Sequence, residues 1–81
     1  MRDANKQRQN ELKFGTWEEL DHGGRRYSYT VKGKVIGSAR YVKEVDADEN
    51  ATAFYQEIFD AFGNLVEIHR KFPVDEGHRK I

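Results

Sequence analysis

From Trp17 to Phe72, apolar and polar side chains alternate one for one, interrupted only by clusters of turn-forming residues. Successive side chains of a strand point to opposite faces, so a period of two marks extended chain with one sheltered side and one wetted side. Between Arg25 and Val31 this puts Tyr27, Tyr29 and Val31 on one side and Arg26, Ser28 and Thr30 on the other. The predicted class is mainly β: a small, curled antiparallel meander of four or five strands behind a disordered or marginally helical N-terminal tail.

Three regions follow from the pattern. Residues 1–12 form a polar tail with no usable apolar period; as a helix it would have to dock through Ala4 and Leu12. Residues 13–73 form a single β-rich domain, and residues 74–81 a basic tail. Within the domain, Phe14 to Leu20 and Arg25 to Val31 flank Asp21-His22-Gly23-Gly24, where paired glycines accept positive φ. Lys32-Gly33-Lys34 connects to a strand predicted over Val35 to Val45, in which Gly37 and Ala39 imply a bulge or a close approach by something packed over the sheet. The acidic stretch Asp46 to Asn50 reads as loop.

Residues 51–62 admit two readings. Phe54, Ile58 and Phe62 have helical spacing, with Asn50 as N-cap and Gly63 as stop. Against this, Asp60-Ala61-Phe62-Gly63-Asn64 is a hairpin turn leading into a strand-like Leu65 to Phe72, and strand–turn–strand is the preferred reading. Pro73 ends that strand because it has no N–H for the ladder.

Composition narrows the classes. A chain of 81 residues makes one domain and buries only roughly 60–65% of its unfolded surface. Without cysteine it has no disulfide staple and no thiolate for zinc, which points to a reducing cytoplasm. Its apolar runs are too short for a membrane span or a signal peptide. Fourteen Lys and Arg balance fourteen Asp and Glu, so net charge gives no pull toward nucleic acid or anionic lipid. Five Phe, four Tyr and one Trp are too many rings for one side of so small a sheet. The sheet must curl, receive a helix or meet a second molecule, and a homodimer is the simplest resolution.

The chemistry-bearing residues are few. His22, His69 and His78 lack metal-site spacing, and the glycines lie in turns rather than between a strand and a helix, so neither a metal nor a small-molecule cofactor is expected. His69-Arg70-Lys71 and His78-Arg79-Lys80 repeat one triplet across a short Pro-containing link. If the link folds back, His69 and His78 supply the base and acid for metal-free RNA cleavage and Arg79 a phosphate clamp; a flexible charged terminus is the commoner outcome. Arg25, Arg26, Tyr27, Tyr29, Arg40, Arg70 and Lys71 are the candidate binding residues, since rings beside cations on a strand suit single-stranded RNA. Alternating rings on a strand are nevertheless more often core.

Arg26-Tyr27-Ser28-Tyr29, the segment Leu65 to Phe72 and the closing Gly77-His78-Arg79-Lys80-Ile81 resemble the layout of TumE-like toxins of bacterial toxin–antitoxin pairs, compact β-rich chains with an RYxY strand and a GHRH-type stretch. The resemblance implies RNA as target and a neutralising partner. The Asp-Asn pair and the helical segment that flank the histidine motif in those proteins are absent here, which weighs against ribonuclease activity. The functional expectation is therefore a small non-catalytic, cytoplasmic interaction module contacting a protein or RNA partner, in a phage, defence or toxin–antitoxin setting. The alternative is a ribonuclease-like toxin using His69 and His78.

Overall fold

The computed structural model describes residues 2–33 and 37–81. Helix α1 (Ala4–Phe14) precedes six strands: β1 (Thr16–Glu19), β2 (Arg25–Lys32), β3 (Ser38–Val45), β4 (Ala51–Phe59), β5 (Leu65–Phe72) and β6 (His78–Lys80). They form one antiparallel sheet, each strand pairing with its sequence neighbours. The meander is thus as predicted, with one strand more than expected because residues 78–80 of the basic tail pair with β5. Residues 51–59 are extended, as the hairpin reading required. Val35 and Ile36, placed by sequence in the third strand, lie outside the described residues. Among the described residues no helix is long and apolar enough to cross a membrane.

The N-terminal tail is a docked helix, and its docking residues are not the ones its apolar side chains suggested. Asp3 caps it by accepting from the Asn5 and Lys6 amides, and Gly15 ends it in the left-handed region at φ 82°. Leu12 and Ala4 face solvent; the inward stripe is Gln7, Asn10, Glu11 and Phe14, spaced i, i+3, i+4 and i+7. Three of those four are polar. Glu11 accepts from Gln7 at 3.1 Å and from Arg25 at 2.7 Å, and Asn10 donates to Glu49 at 3.1 Å. Phe14 alone gives the stripe a buried apolar anchor, against Tyr27 and Tyr29.

Cross-strand register assigns the faces. Trp17, Tyr27, Lys43 and Phe54 lie in one row, and Tyr29, Tyr41, Gln56 and His69 in the next; all point to the side where α1 lies. The core is Phe14, Tyr27 and Val45 with Tyr29 and Phe54 against it, and burial of each apolar side chain there contributes roughly 1.5–3 kcal/mol. The outer face carries a lattice of charge. Arg26 bridges Glu18 and Glu44, Glu44 also accepts from Tyr55 at 2.9 Å, and Arg40 donates to Glu57 at 3.2 Å. Such a face is satisfied in water and needs no cover.

Two hairpin turns share one design. Asp46 and Asp60 each accept, through Oδ1, the amides two and four residues on, and each donates its own N–H to the carbonyl of Asn50 or Asn64 at 2.9 Å. The fourth residue is left-handed in both: Gly63 at φ 85° in one, Glu49 at φ 69° in the other. Gly37 is left-handed as well, at φ 85°, and has a second reason to be glycine, because a Cβ there would fall 2.2 Å from the Phe59 carbonyl oxygen. Gly37 thus stands just ahead of β3, and what approaches it is the backbone at the end of the neighbouring strand β4, not an element packed over the sheet as the sequence implied.

Candidate functional surface

The seven candidate binding residues divide between the two faces. Arg26, Arg40 and Arg70 lie on the outer face, each already matched to a carboxylate, with Arg70 3.8 Å from Glu76 and over the Tyr55 ring at 5.3 Å. Burial first, then the carboxylate of Glu44 as acceptor, pushes the Tyr55 phenol up to about 12. Arg25, Tyr27, Tyr29 and Lys71 lie on the helix side. Arg25 is held between Glu11 and Glu19 and lies 5.2 Å above the Trp17 ring. Tyr27 is fully buried and offers no ring face to a ligand.

What remains on the helix side is a row of rings packed against one another. Phe14 lies 5.4 Å from Tyr29, Tyr29 stacks on Tyr41 at 5.0 Å, and the Lys71 ammonium sits 5.5 Å over Tyr41 and 5.7 Å over Phe54. Tyr29 and Tyr41 thus each give one face to the other, while Phe14 tilts against the first and the Lys71 ammonium lies over the second. A base would have to displace one of these contacts to stack.

Beneath the helix lies a residue that sequence reading placed in an acidic loop. Glu49 has no accessible side-chain surface; it accepts from Tyr27 at 3.0 and 2.9 Å, from Asn10, and from the Arg2 guanidinium. Burial raises the Tyr27 phenol, reinforced by the Glu49 carboxylate and opposed by Arg25. The left-handed backbone at Glu49 turns its side chain into this position. The legible signal was the repeat Asp-x-x-Glu-Asn against Asp-x-x-Gly-Asn, with a side chain standing where the turn asks for none.

Between α1 and that turn is a cleft of about 300 Å³ lined by Lys6, Gln9, Asn10, Lys43, Glu49 and Asn50. Lys43 donates to Asn10 at 3.0 Å and Lys6 to Asn50 at 3.2 Å, while Lys13 lies 5.5 Å from the Phe14 ring centre. None of the three forms an ion pair with a carboxylate among the described residues. Burial lowers the Lys43 ammonium, and the charges of Lys13 and Lys6 lower it further. The Glu49 carboxylate in the same cleft acts the other way and raises Lys43, so the lysine charge gathered on the helix side is only partly offset.

At the far end of the same face the fold-back imagined for the histidines is present. His69 Nδ1 lies 3.1 Å from His78 Nε2, His69 Nε2 lies 2.6 Å from Asp75, and His78 Nδ1 lies 2.7 Å from Glu67. All four ring nitrogens are engaged. Arg79, the proposed clamp, pairs in register with Ile68 and alternates to the opposite face. Hydrogen bonds from His69 and the Gly77 amide hold Asp75 below the usual carboxylate range. Among the described residues no group of three or more His, Asp or Glu side chains is placed to hold a metal ion.

Comparison with protein-family models, curated proteins and solved structures finds no match for this chain.

Proposed function

We propose that this chain is a non-catalytic interaction module whose partner is a protein segment carrying acidic and apolar side chains. The observation behind this reading is the incomplete second layer. Helix α1 packs over β1 and β2, and among the described residues no element other than neighbouring strands packs on β4 or β5. Tyr41, Phe54, Gln56 and Ile58 are consequently left half-buried on a face built for cover. Lys71 lies among these residues and Lys6, Lys13 and Lys43 beside them, so the covering surface must bring negative charge. A second copy would set these lysines against themselves, which favours a partner of different sequence over the homodimer. A phage, defence or toxin–antitoxin pairing in a reducing cytoplasm suits such a chain, and the TumE-like resemblance would make the acidic chain its neutralising partner.

RNA is the competing partner, and the occupied ring faces count against it, since sequence-tolerant RNA binding draws about 1–3 kcal/mol from each stacked base. Isotope-labelled protein titrated separately with an acidic, phenylalanine-bearing peptide and with oligouridine tests the choice. The peptide should shift the amides of Tyr41, Gln56, Ile58 and Lys71 and leave Arg40 and Glu57 unmoved. Shifts with oligouridine alone would transfer the reading to RNA, and silence with both would end it.

One observation favours a second reading, a ribonuclease-like toxin: His69 and His78 do meet. As acid and base they would first have to give up a bond, because no ring nitrogen is free for substrate. Cleavage of RNA by the purified protein, lost in His69→Ala and His78→Ala, would establish this reading over the first.

A further inference from the structure

Little apolar burial holds the C-terminal segment on the sheet. His78, Arg79, Lys80 and Ile81 are all exposed, Ile81 to 76%. What holds residues 73–81 is the short ladder to β5, the Glu76 amide on the Arg70 carbonyl at 2.8 Å, the Ile81 amide on the Val66 carbonyl at 3.0 Å, and the polar chain Asp75–His69–His78–Glu67.

That chain has a definite proton count. Ionised carboxylates only accept, so His69 Nε2 and His78 Nδ1 must both carry hydrogen. The central contact joins two nitrogens and needs one hydrogen more, giving three over the four nitrogens. Two neutral imidazoles hold two, and the central lone pairs then face each other across 3.1 Å. Two imidazolium rings hold four, and two N–H groups then collide there. Only the singly charged pair makes all three bonds.

We propose that residues 73–81 form a protonation-gated strap, seated on β5 while the His69–His78 pair holds one positive charge and released when the pair loses that charge or gains a second. The surroundings are consistent with a single charge. Asp75 from the strap and Glu67 from β5 face the pair as anions. Lys80 stands across from Glu67, Lys71 is near enough to help lower Asp75, and the Arg70–Glu76 ion pair crosses the same junction. From β4 come only Gln56 opposite His69 and Ile58 opposite Glu67, neither of which titrates.

Amide hydrogen exchange, corrected for its intrinsic pH dependence, tests the strap from about pH 4.5 to 9, a span that brackets ordinary imidazole titration. Protection at Ile81 and Glu76 should peak within the range and fall on both sides, by about tenfold per pH unit once a single proton governs opening. Amides of Ser28 and Val42 should stay level, separating strap release from unfolding. The side-chain amide of His78→Gln can donate to a neutral His69 Nδ1 or turn and accept from a protonated one, so the alkaline fall should vanish and the acid fall should weaken. A flat or one-sided wild-type profile, a profile shared by Ser28 and Val42, or an unchanged alkaline fall in a folded His78→Gln would each overturn the proposal.

Discussion

Tyr27 and Glu49 meet beneath α1, the phenol hydroxyl within 3.0 Å of both oxygens of a carboxylate shut off from water. With Asn10 and Arg2 on the same carboxylate, this junction ties the chain start, the helix, β2 and the β3–β4 turn together.

Removing a member of a buried network exposes the desolvation cost of those left behind. Tyr27→Phe should cost about 1–3 kcal/mol, since Asn10 and Arg2 still satisfy the carboxylate. Glu49→Ala leaves three donors without their acceptor and should cost about 3 kcal/mol, held to the lower end for a buried ion pair because Arg2 keeps some contact with water. Urea midpoints at unchanged m-value give both numbers.

The backbone at Glu49 permits a second, separable measurement. At φ 69° any L side chain carries a left-handed penalty of about 1–2 kcal/mol, which glycine avoids. Glu49→Gly should therefore be less destabilising than Glu49→Ala by about that amount, less the greater freedom glycine has when unfolded. Equal losses in the two variants would show that the turn relaxes around alanine.

Acid should loosen the molecule through identifiable carboxylates. Asp46 and Asp60 are lowered chiefly by the backbone amides of their own turns, and Glu44 by Arg26 and Tyr55, which outweigh the opposing effect of its burial. A depressed carboxylate contributes stability above its unfolded pKa of about 4 and loses it as pH falls through the folded value. Melting temperature should thus hold down to about pH 4 and drop below it, and Arg26→Ala should flatten the part that belongs to Glu44.

At the alkaline end two phenols should titrate late. Tyr27 and Tyr55 are both raised first by burial, Tyr55 to about 12, so phenolate absorbance should remain incomplete well above the ordinary tyrosine range. Raised phenols favour the fold at low pH and withdraw that support as pH passes the unfolded value and climbs through the folded one. Tyr55→Phe should delete the latest part of the absorbance curve.

How much of this was legible in the sequence depends on where each element draws its hold. The alternation at Tyr27, Tyr29 and Val31 announced β2 because strand side chains take opposite sides in turn, although only Tyr27 is fully buried and Val31 lies exposed. The Asp60–Asn64 turn settled residues 51–59 against their helical spacing because turn chemistry is local. Helix α1 was obscure because its inward stripe is polar, and its partners, Arg25, Lys43 and Glu49, lie far along the chain. Strand β6 was obscure because hydrogen bonds hold it rather than apolar burial. The cationic residues were named from the chain but not sorted, since a basic cluster does not reveal that Arg26 and Arg40 face away from Lys71.

Strands laid down in chain order, each beside the last, also set the order in which the molecule can assemble. Every hairpin can close over a short loop and extend the ladder by one strand, whereas α1 must wait for Lys43 and Glu49, 33 and 39 residues beyond Asn10. Late-forming contacts govern how quickly a protein comes apart more than how quickly it goes together. Phe14→Ala should therefore act mainly on the unfolding limb of the chevron, and Val42→Ala, at the centre of the ladder, on the folding limb.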